Sequence, residues 1–275
     1  MDLGKILGRM SYHVIYDDSI ASAIQFASDN GFSGIQVATD ALHLGFESLS
    51  DSDISDIREL SRRLGIRINL HGPDHGSLLF PYSRTDRGII SYYSDLIGFA
   101  QDVGAKIITI HPGKVSTFKT DTLPIQELPE PDWALYSRIL ERNLDRLLEL
   151  SSGKVQICIE NLDWTPLLMQ TLQDYLNDTD LALCWDIEKM YNKTDLSVKP
   201  EIEAFFTRNI TKVRQVHLHS LANGLSHRVI QPGPIDFKHY LELLNGVDVL
   251  DYCIEVRPRE KAVESLNNLK QILSQ

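Results

Sequence analysis

The sequence predicts an α/β protein folded as a (β/α)8 TIM barrel, with a parallel eight-stranded barrel inside a ring of outer helices. Eight short apolar runs alternate with longer segments of helical period along all 275 residues. Most of these runs are apolar at consecutive positions, as in parallel strands covered on both faces. The chain also lacks the G-x-G-x-x-G turn and the phosphate loop of many open, doubly wound sheets. We therefore expect one barrel domain over residues 1–275.

The predicted strands are short and rich in β-branched and other apolar residues. In chain order they cover 9–15, 33–38, 66–71, 106–111, 155–160, 181–186, 213–218 and 252–257. Between and after these runs, amphipathic patterns predict helices at 18–30, 51–65, 86–104, 133–153, 165–177, 199–210, 236–245 and 265–275. In the second of these helices Ile54, Ile57 and Leu60 share one stripe, and Gly65 follows as a stop signal.

The longest segment without periodicity covers residues 113–131, directly after the fourth predicted strand. It is polar and interrupted by prolines, which argues against a core element. Barrel enzymes carry their sites on the face where this segment lies. We expect it to form an active-site lid.

Composition narrows the class of protein. The formal net charge is −11, so the surface repels a phosphate backbone, and nucleic acid is an unfavoured partner. The three cysteines lie in apolar runs without paired metal-ligand spacing. No apolar stretch approaches the roughly 20 residues that span a bilayer, and the amino terminus lacks a secretion signal. We expect a cytoplasmic protein without membrane attachment.

The informative residues are those at the ends of the strands. Six consecutive predicted strands each carry a histidine or a carboxylate at or near the carboxyl end: His71, His111, Glu160, Asp186, His217 and Glu255. In a barrel these ends converge on one mouth. A buried carboxylate is costly without a cation or proton, and imidazole with carboxylate is a ligand set for Mn, Zn, Co or Fe. The pattern therefore predicts at least one metal ion there, although any single histidine could instead be structural.

Short motifs on these strands carry a family resemblance. They are HGP (71–73), IHPG (110–113), IEN (159–161), WDIEK (185–189), VHLHS (216–220), GPIDF (233–237) and IEV (254–256). Their order and placement resemble the xylose isomerase-like barrel superfamily, which includes sugar isomerases and epimerases and the type IV apurinic endonucleases. The resemblance covers nearly the whole chain.

The resemblance implies a divalent ion (Mn, Zn, Co or Mg) held by Glu160, Asp186, His217 and Glu255. It also implies that Glu160 and Glu255 act as a catalytic acid/base pair. The endonuclease branch adds a second ion, for which His71 and His111 match, giving one or two ions per chain. Two of the three ligands of its third ion are missing here, because Lys189 and Leu225 stand at those positions and only His227 matches.

We therefore expect a metal-dependent isomerase or epimerase of a sugar, sugar phosphate or sugar acid, working through an enediolate. The alternatives are a two-metal hydrolase of the endonuclease type and a barrel that keeps the metal site but serves in binding or assembly. Lys189, His219, His227 and Arg228 are the expected substrate contacts, although Lys189 could instead pair with Glu188 or Asp186. The expected partner is a small carbohydrate, and a homo-oligomer is possible.

Overall fold

The closed barrel and its outer helices are present in a computed structural model, which describes residues 2–115 and 130–274. The barrel strands are β1 (Met10–Val14), β2 (Gly34–Ala38), β3 (Arg67–His71), β4 (Ile107–Ile110), β5 (Gln156–Glu160), β6 (Ala182–Asp186), β7 (Val213–Leu218) and β10 (Asp251–Ile254). Each pairs in parallel with its neighbours, and β1 closes the ring between β2 and β10. The predicted TIM barrel is thus confirmed, with all eight strands at their expected places.

The helices surround this barrel. They are α1 (Leu3–Leu7), α2 (Ile20–Asp29), α3 (Asp51–Leu64), α4 (Ser83–Val103), α5 (Glu130–Ser151), α6 (Pro166–Asp178), α7 (Pro200–Arg208), α8 (Phe237–Leu243) and α9 (Arg259–Ser274). Local chemistry sets their ends. Ser50 accepts a hydrogen bond from the backbone of Asp53 at the start of α3, and Gly65 ends that helix in the left-handed conformation with φ of 68°.

The two faces of the barrel strands differ in chemistry. The outward positions are apolar and pack beneath the helices, as Ile35 and Val37 do on β2. The inward positions are small or polar, apart from Ile107 on β4. Gln36 on β2 contacts Gln215 on β7, and the two strands are not neighbours in the ring. The expectation of consecutive apolar positions therefore needs a correction, because both faces are buried but only the outer face is consistently apolar.

An antiparallel hairpin follows β7 and is an addition to the predicted elements. Its strands are β8 (Ser220–Ala222) and β9 (Leu225–Arg228). The turn residues Asn223 and Gly224 have φ of 54° and 71°, as a tight hairpin requires. His227 of this hairpin lines the cavity at the barrel mouth.

Most of the predicted lid, residues 113–131, lies outside the described residues, so its role stays a prediction. Among the helices of the described ranges, none is both long and apolar enough to cross a membrane.

Candidate metal centre

Four of the predicted ligands meet at the carboxyl-terminal mouth of the barrel. They come from the ends of β5, β6, β7 and β10: Glu160, Asp186, His217 and Glu255. One ligand atom from each lies within 4.8 Å of the other three, and all four residues are buried. The closed sheet thus brings together side chains that are far apart in sequence.

Glu160 lies at the centre of the cluster. Its Oε2 is 3.1 Å from Nε2 of His71 and 3.2 Å from Nε2 of His111. The same oxygen is 3.3 Å from Nδ1 of His217. Burial raises the pKa of this carboxyl, but the charges of His217 and His111, together with the hydrogen bond of His111, outweigh burial and hold the pKa well below its usual range. Glu160 is therefore a buried, ionised group.

Glu255 approaches the same nitrogen of His217 as Glu160 does. Its Oε1 lies 3.4 Å from Nδ1 of His217 and 3.5 Å from Nδ1 of His13. Burial raises the pKa of Glu255, and the nearby His217 and His13 more than reverse that effect, so the net shift is well downward. Two ionised carboxylates, from the ends of β5 and β10, thus lie beside one imidazole nitrogen.

This donor set fits a divalent metal ion. Nδ1 of His217 is buried and makes no hydrogen bond, although carboxylate oxygens of Glu160 and Glu255 lie near it. Burial lowers the pKa of His217, but the charges of Glu255 and Glu160 raise the pKa to about 9. Without a metal ion, the cluster therefore holds a proton on His217. A divalent ion would use the unpartnered nitrogen and neutralise the carboxylates.

A second group of candidate ligands adjoins the first. His71 and His111 approach Glu160 from the side opposite Asp186, and Asp74 lies 3.6 Å from Nδ1 of His111. Suitable atoms of His71, Asp74 and His111 lie within 4.8 Å of one another. The backbone carbonyl of Gly72, 2.8 Å from Nδ1 of His71, fixes that ring. The predicted second-metal residues are thus adjacent to the first cluster.

Lys189 and His219 surround Asp186. Nε2 of His219 lies 3.1 Å from Oδ2 of Asp186. Nζ of Lys189 is 3.7 Å from the same oxygen and 3.3 Å from Oε2 of Glu188. Burial raises the pKa of Asp186, but His219 and Lys189 outweigh it and lower the pKa. The lysine ammonium therefore lies where the endonuclease resemblance would place a ligand of a third ion.

A cavity of about 300 Å³ opens beside these groups. Its wall includes Glu160 and Glu255, and also Lys189 and His227 from the predicted substrate contacts. His219 and Arg228 do not line it: His219 is fully buried behind Asp186, and Arg228 is exposed on β9. His219 is therefore placed to orient Asp186. The substrate roles of all four residues stay predictions.

Three residues of the site were missing from the sequence interpretation. His13 on β1 and Arg257 after β10 both line the cavity, and Nη2 of Arg257 lies 3.2 Å from Nδ1 of His13. Gln36 lies deeper, with Nε2 3.2 Å from Nε2 of His217. His13 and Arg257 both fall within predicted strands. Polar residues at every second position of a strand indicate a polar face inside the barrel, and this signal would have identified His13 and Gln36.

Because the cluster binds a proton at His217 before it binds a metal, we expect metal uptake to release a proton. Below pH 9 the apparent affinity for Mn²⁺ should rise by up to about tenfold per pH unit, and it should level off above the pKa of His217. Calorimetric titrations at several pH values, in buffers of different ionisation enthalpy, measure both effects. An affinity that stays flat between pH 6 and 8.5 would contradict this expectation.

The comparisons with known proteins agree with the fold. The sequence matches the model of the xylose isomerase-like TIM barrel family over residues 24–272. No curated protein matches the chain.

Several solved structures share the fold. One is a D-tagatose 3-epimerase-like protein, with 20% identity, 97% of each chain covered and a TM-score of 0.74. Another is endonuclease IV from Thermus thermophilus, with 16% identity, 97% of this chain and 98% of that chain covered, and a TM-score of 0.67. A third is the IOLI protein with a bound zinc atom, at 16% identity, the same coverage and a TM-score of 0.64. At such identities the likeness shows the fold alone. The family match, which spans most of the sequence, shows that the chain belongs to the xylose isomerase-like TIM barrel family.

Proposed function

We propose that this protein is a divalent-metal-dependent isomerase or epimerase of a sugar or a sugar derivative. The observation that carries the proposal is the pair Glu160 and Glu255. Both are buried, both line the same cavity, and each has an oxygen within 3.4 Å of Nδ1 of His217. A pair of bases around one small cavity suits the removal of a proton from a carbon and its return.

Side chains of the site would transfer protons and hold the metal ion. Both glutamates are ionised, so either one has a free carboxylate to take the proton from the carbon next to a substrate carbonyl. The electrons of the broken C–H bond then form an enediolate. For epimerisation the other glutamate, after it has taken a proton from solvent, returns one to the opposite face of the carbon. Glu160, Asp186, His217 and Glu255 would hold the ion, which when bound supplies a positive charge where the substrate oxygens become negative.

Cationic and neutral groups of the wall would orient the substrate. Arg257 and Lys189 provide positive charge, which suits hydroxyl, carboxylate or phosphate oxygens. Burial and the neighbouring His219 lower the pKa of His227 to about 4, so its ring is neutral near pH 7 and can donate or accept a hydrogen bond. The name of the D-tagatose 3-epimerase-like relative supports a ketose as the substrate class.

Solvent proton exchange tests the proposal. We expect protein loaded with Mn²⁺ and incubated in deuterated water with D-tagatose, D-fructose and D-psicose to place one deuterium on the carbon next to the carbonyl of at least one ketose. Mass spectrometry and NMR measure the label. As the matched control, Glu242→Gln removes an exposed glutamate outside the site and should exchange like the unmodified protein. Cleavage of abasic DNA without exchange on any ketose, sugar phosphate or sugar acid would overturn the proposal.

The second candidate is a two-metal hydrolase of the endonuclease type, favoured by the contacts of His71 and His111 with Glu160. Metal counting separates the candidates. Two ions per chain, with one lost in His71→Ala, would support the hydrolase. One ion that persists in His71→Ala would support the isomerase. The ammonium of Lys189 beside Asp186 and the net charge of −11 favour the isomerase.

A further inference from the structure

The amino-terminal mouth of the barrel, opposite the metal centre, contains a cavity of about 610 Å³. Residues at or just before the starts of the strands line it, such as Gln156 on β5 and Ala182 on β6. Its cationic residues are Arg9, Arg67, Lys106, Lys154, Lys212 and Arg214. We call this cavity the basic cup.

The charge of the basic cup is opposite to that of the whole chain. The protein has a net charge of −11, but Asp180 is the single acidic residue among the described residues that line the cup. Arg9 has a partner in Asp248 at 3.1 Å, and Arg67 has one in the buried Asp251 at 3.7 Å. A concave surface with one sign of charge concentrates counter-ions.

Some of these cations have a structural role. The carboxyl ends of the outer helices lie at this mouth, where cations are favourable. Nζ of Lys212 donates to the backbone carbonyl of Thr179 at 2.8 Å, just after α6. Lys106 and Lys154 have no such contact. Both are exposed, and within the described ranges neither ammonium has a hydrogen-bond or ion-pair partner. Contacts with helix ends therefore do not account for all the cations of the basic cup.

The floor of the basic cup holds a second, independent observation. Asn69 lines the cup and is 1% exposed, and neither its Oδ1 nor its Nδ2 has a hydrogen-bond partner. The Nε of Arg67 is likewise buried without a partner. Unpaired buried polar atoms cost free energy and are rare in folded proteins. Asn69 thus leaves an unpaired amide donor next to a cationic cavity, which suits a polar, anionic occupant.

We propose that the basic cup binds a small molecule that carries a diphosphate group. Two adjacent phosphates would meet the unpaired ammonium groups of Lys106 and Lys154, and a polar group next to them would reach Asn69. The volume of about 610 Å³ is within the range of small-molecule sites, about 300–1,000 Å³. The site is separate from the metal centre, since four residue steps along β5 from Gln156 to Glu160 span about 13 Å.

Calorimetric titration of the metal-loaded protein with inorganic pyrophosphate and with ADP tests this site. The double variant Lys106→Gln/Lys154→Gln should weaken binding about tenfold or more, because it removes both unpaired charges. The control Arg138→Gln/Lys270→Gln removes two exposed charges that lie outside the cup, and it should bind like the unmodified protein. Binding should also persist in Glu255→Gln, because that residue lies at the other mouth.

Equal affinities for pyrophosphate and ADP would support a site for the diphosphate group alone. Tighter binding of ADP would support a nucleotide site in which the nucleoside reaches Asn69. The proposal would be overturned by no binding of either probe at low ionic strength, by binding that the lysine double variant leaves unchanged, or by binding that disappears in Glu255→Gln. A preference for duplex DNA over both probes would likewise reject a small-molecule site.

Discussion

Glu255→Gln is expected to lower kcat on the substrate by roughly 10²–10⁴-fold, the usual loss when a general acid or base is removed. The amide has nearly the shape of the carboxylate and keeps an oxygen near His217, but it cannot accept the proton of a C–H bond. The loss should therefore appear equally in turnover and in deuterium exchange. Steady-state kinetics on the ketose that exchanges, together with the exchange rate, measure it.

Two controls separate chemistry from metal loss and unfolding. The metal content of Glu255→Gln should be determined on the sample that is assayed, since Glu255 is also a candidate ligand. Glu242→Gln provides the control for the same substitution on an exposed surface. Unchanged activity in Glu255→Gln would remove the acid/base role of Glu255.

The second large effect concerns stability. Saturation with a metal ion at a thousand times its dissociation constant should stabilise the protein by about 4 kcal/mol, because the ion binds the folded chain. For a chain of 275 residues, that energy raises Tm by roughly 7 °C. A chelator should reverse the rise. Asp186→Asn should lose most of the effect, since it removes a fully buried carboxylate from the ligand cluster.

Asp251→Asn is the matched control for this measurement. Asp251 is as fully buried as Asp186 but lies at the opposite end of the barrel, near Gln215 and Ser11. Its replacement can change the basal Tm, yet the shift caused by the metal should remain. Equal metal-induced shifts in Asp186→Asn and in the unmodified protein would show that the ion binds elsewhere.

The main parts of the candidate centre could be predicted because the topology of a barrel brings the ends of its strands close together. Glu160, Asp186 and Glu255 lie far apart in the chain, but each ends or directly follows a strand, and parallel strands of one barrel share a mouth. Burial of these carboxylates was expected from their apolar neighbours, and the structure confirms it.

Other features depend on contacts that strand ends do not reveal. Arg257 and His13 meet only because β10 closes against β1. Arg228 shows the limit of assigning a side chain from its position alone, since the hairpin turns it to the exposed surface. The sequence does contain a signal for that hairpin, because Asn223-Gly224 is a dipeptide typical of tight hairpin turns. The cations of the basic cup lie at or near the starts of separate strands, such as Arg67 on β3 and Arg214 on β7, and the sequence interpretation considered only the strand ends.

The polar lining of the barrel has a consequence for how the chain folds. Since successive side chains point to opposite faces, a slip of one residue in any strand would put groups such as Gln36 and Glu160 among the apolar helices and bring side chains such as Ile35 inside. Such a misaligned sheet loses apolar burial and at the same time leaves polar groups without partners. The residues suited to hold the ion thereby also define the alignment of the strands, so that an incorrectly closed barrel has little stability.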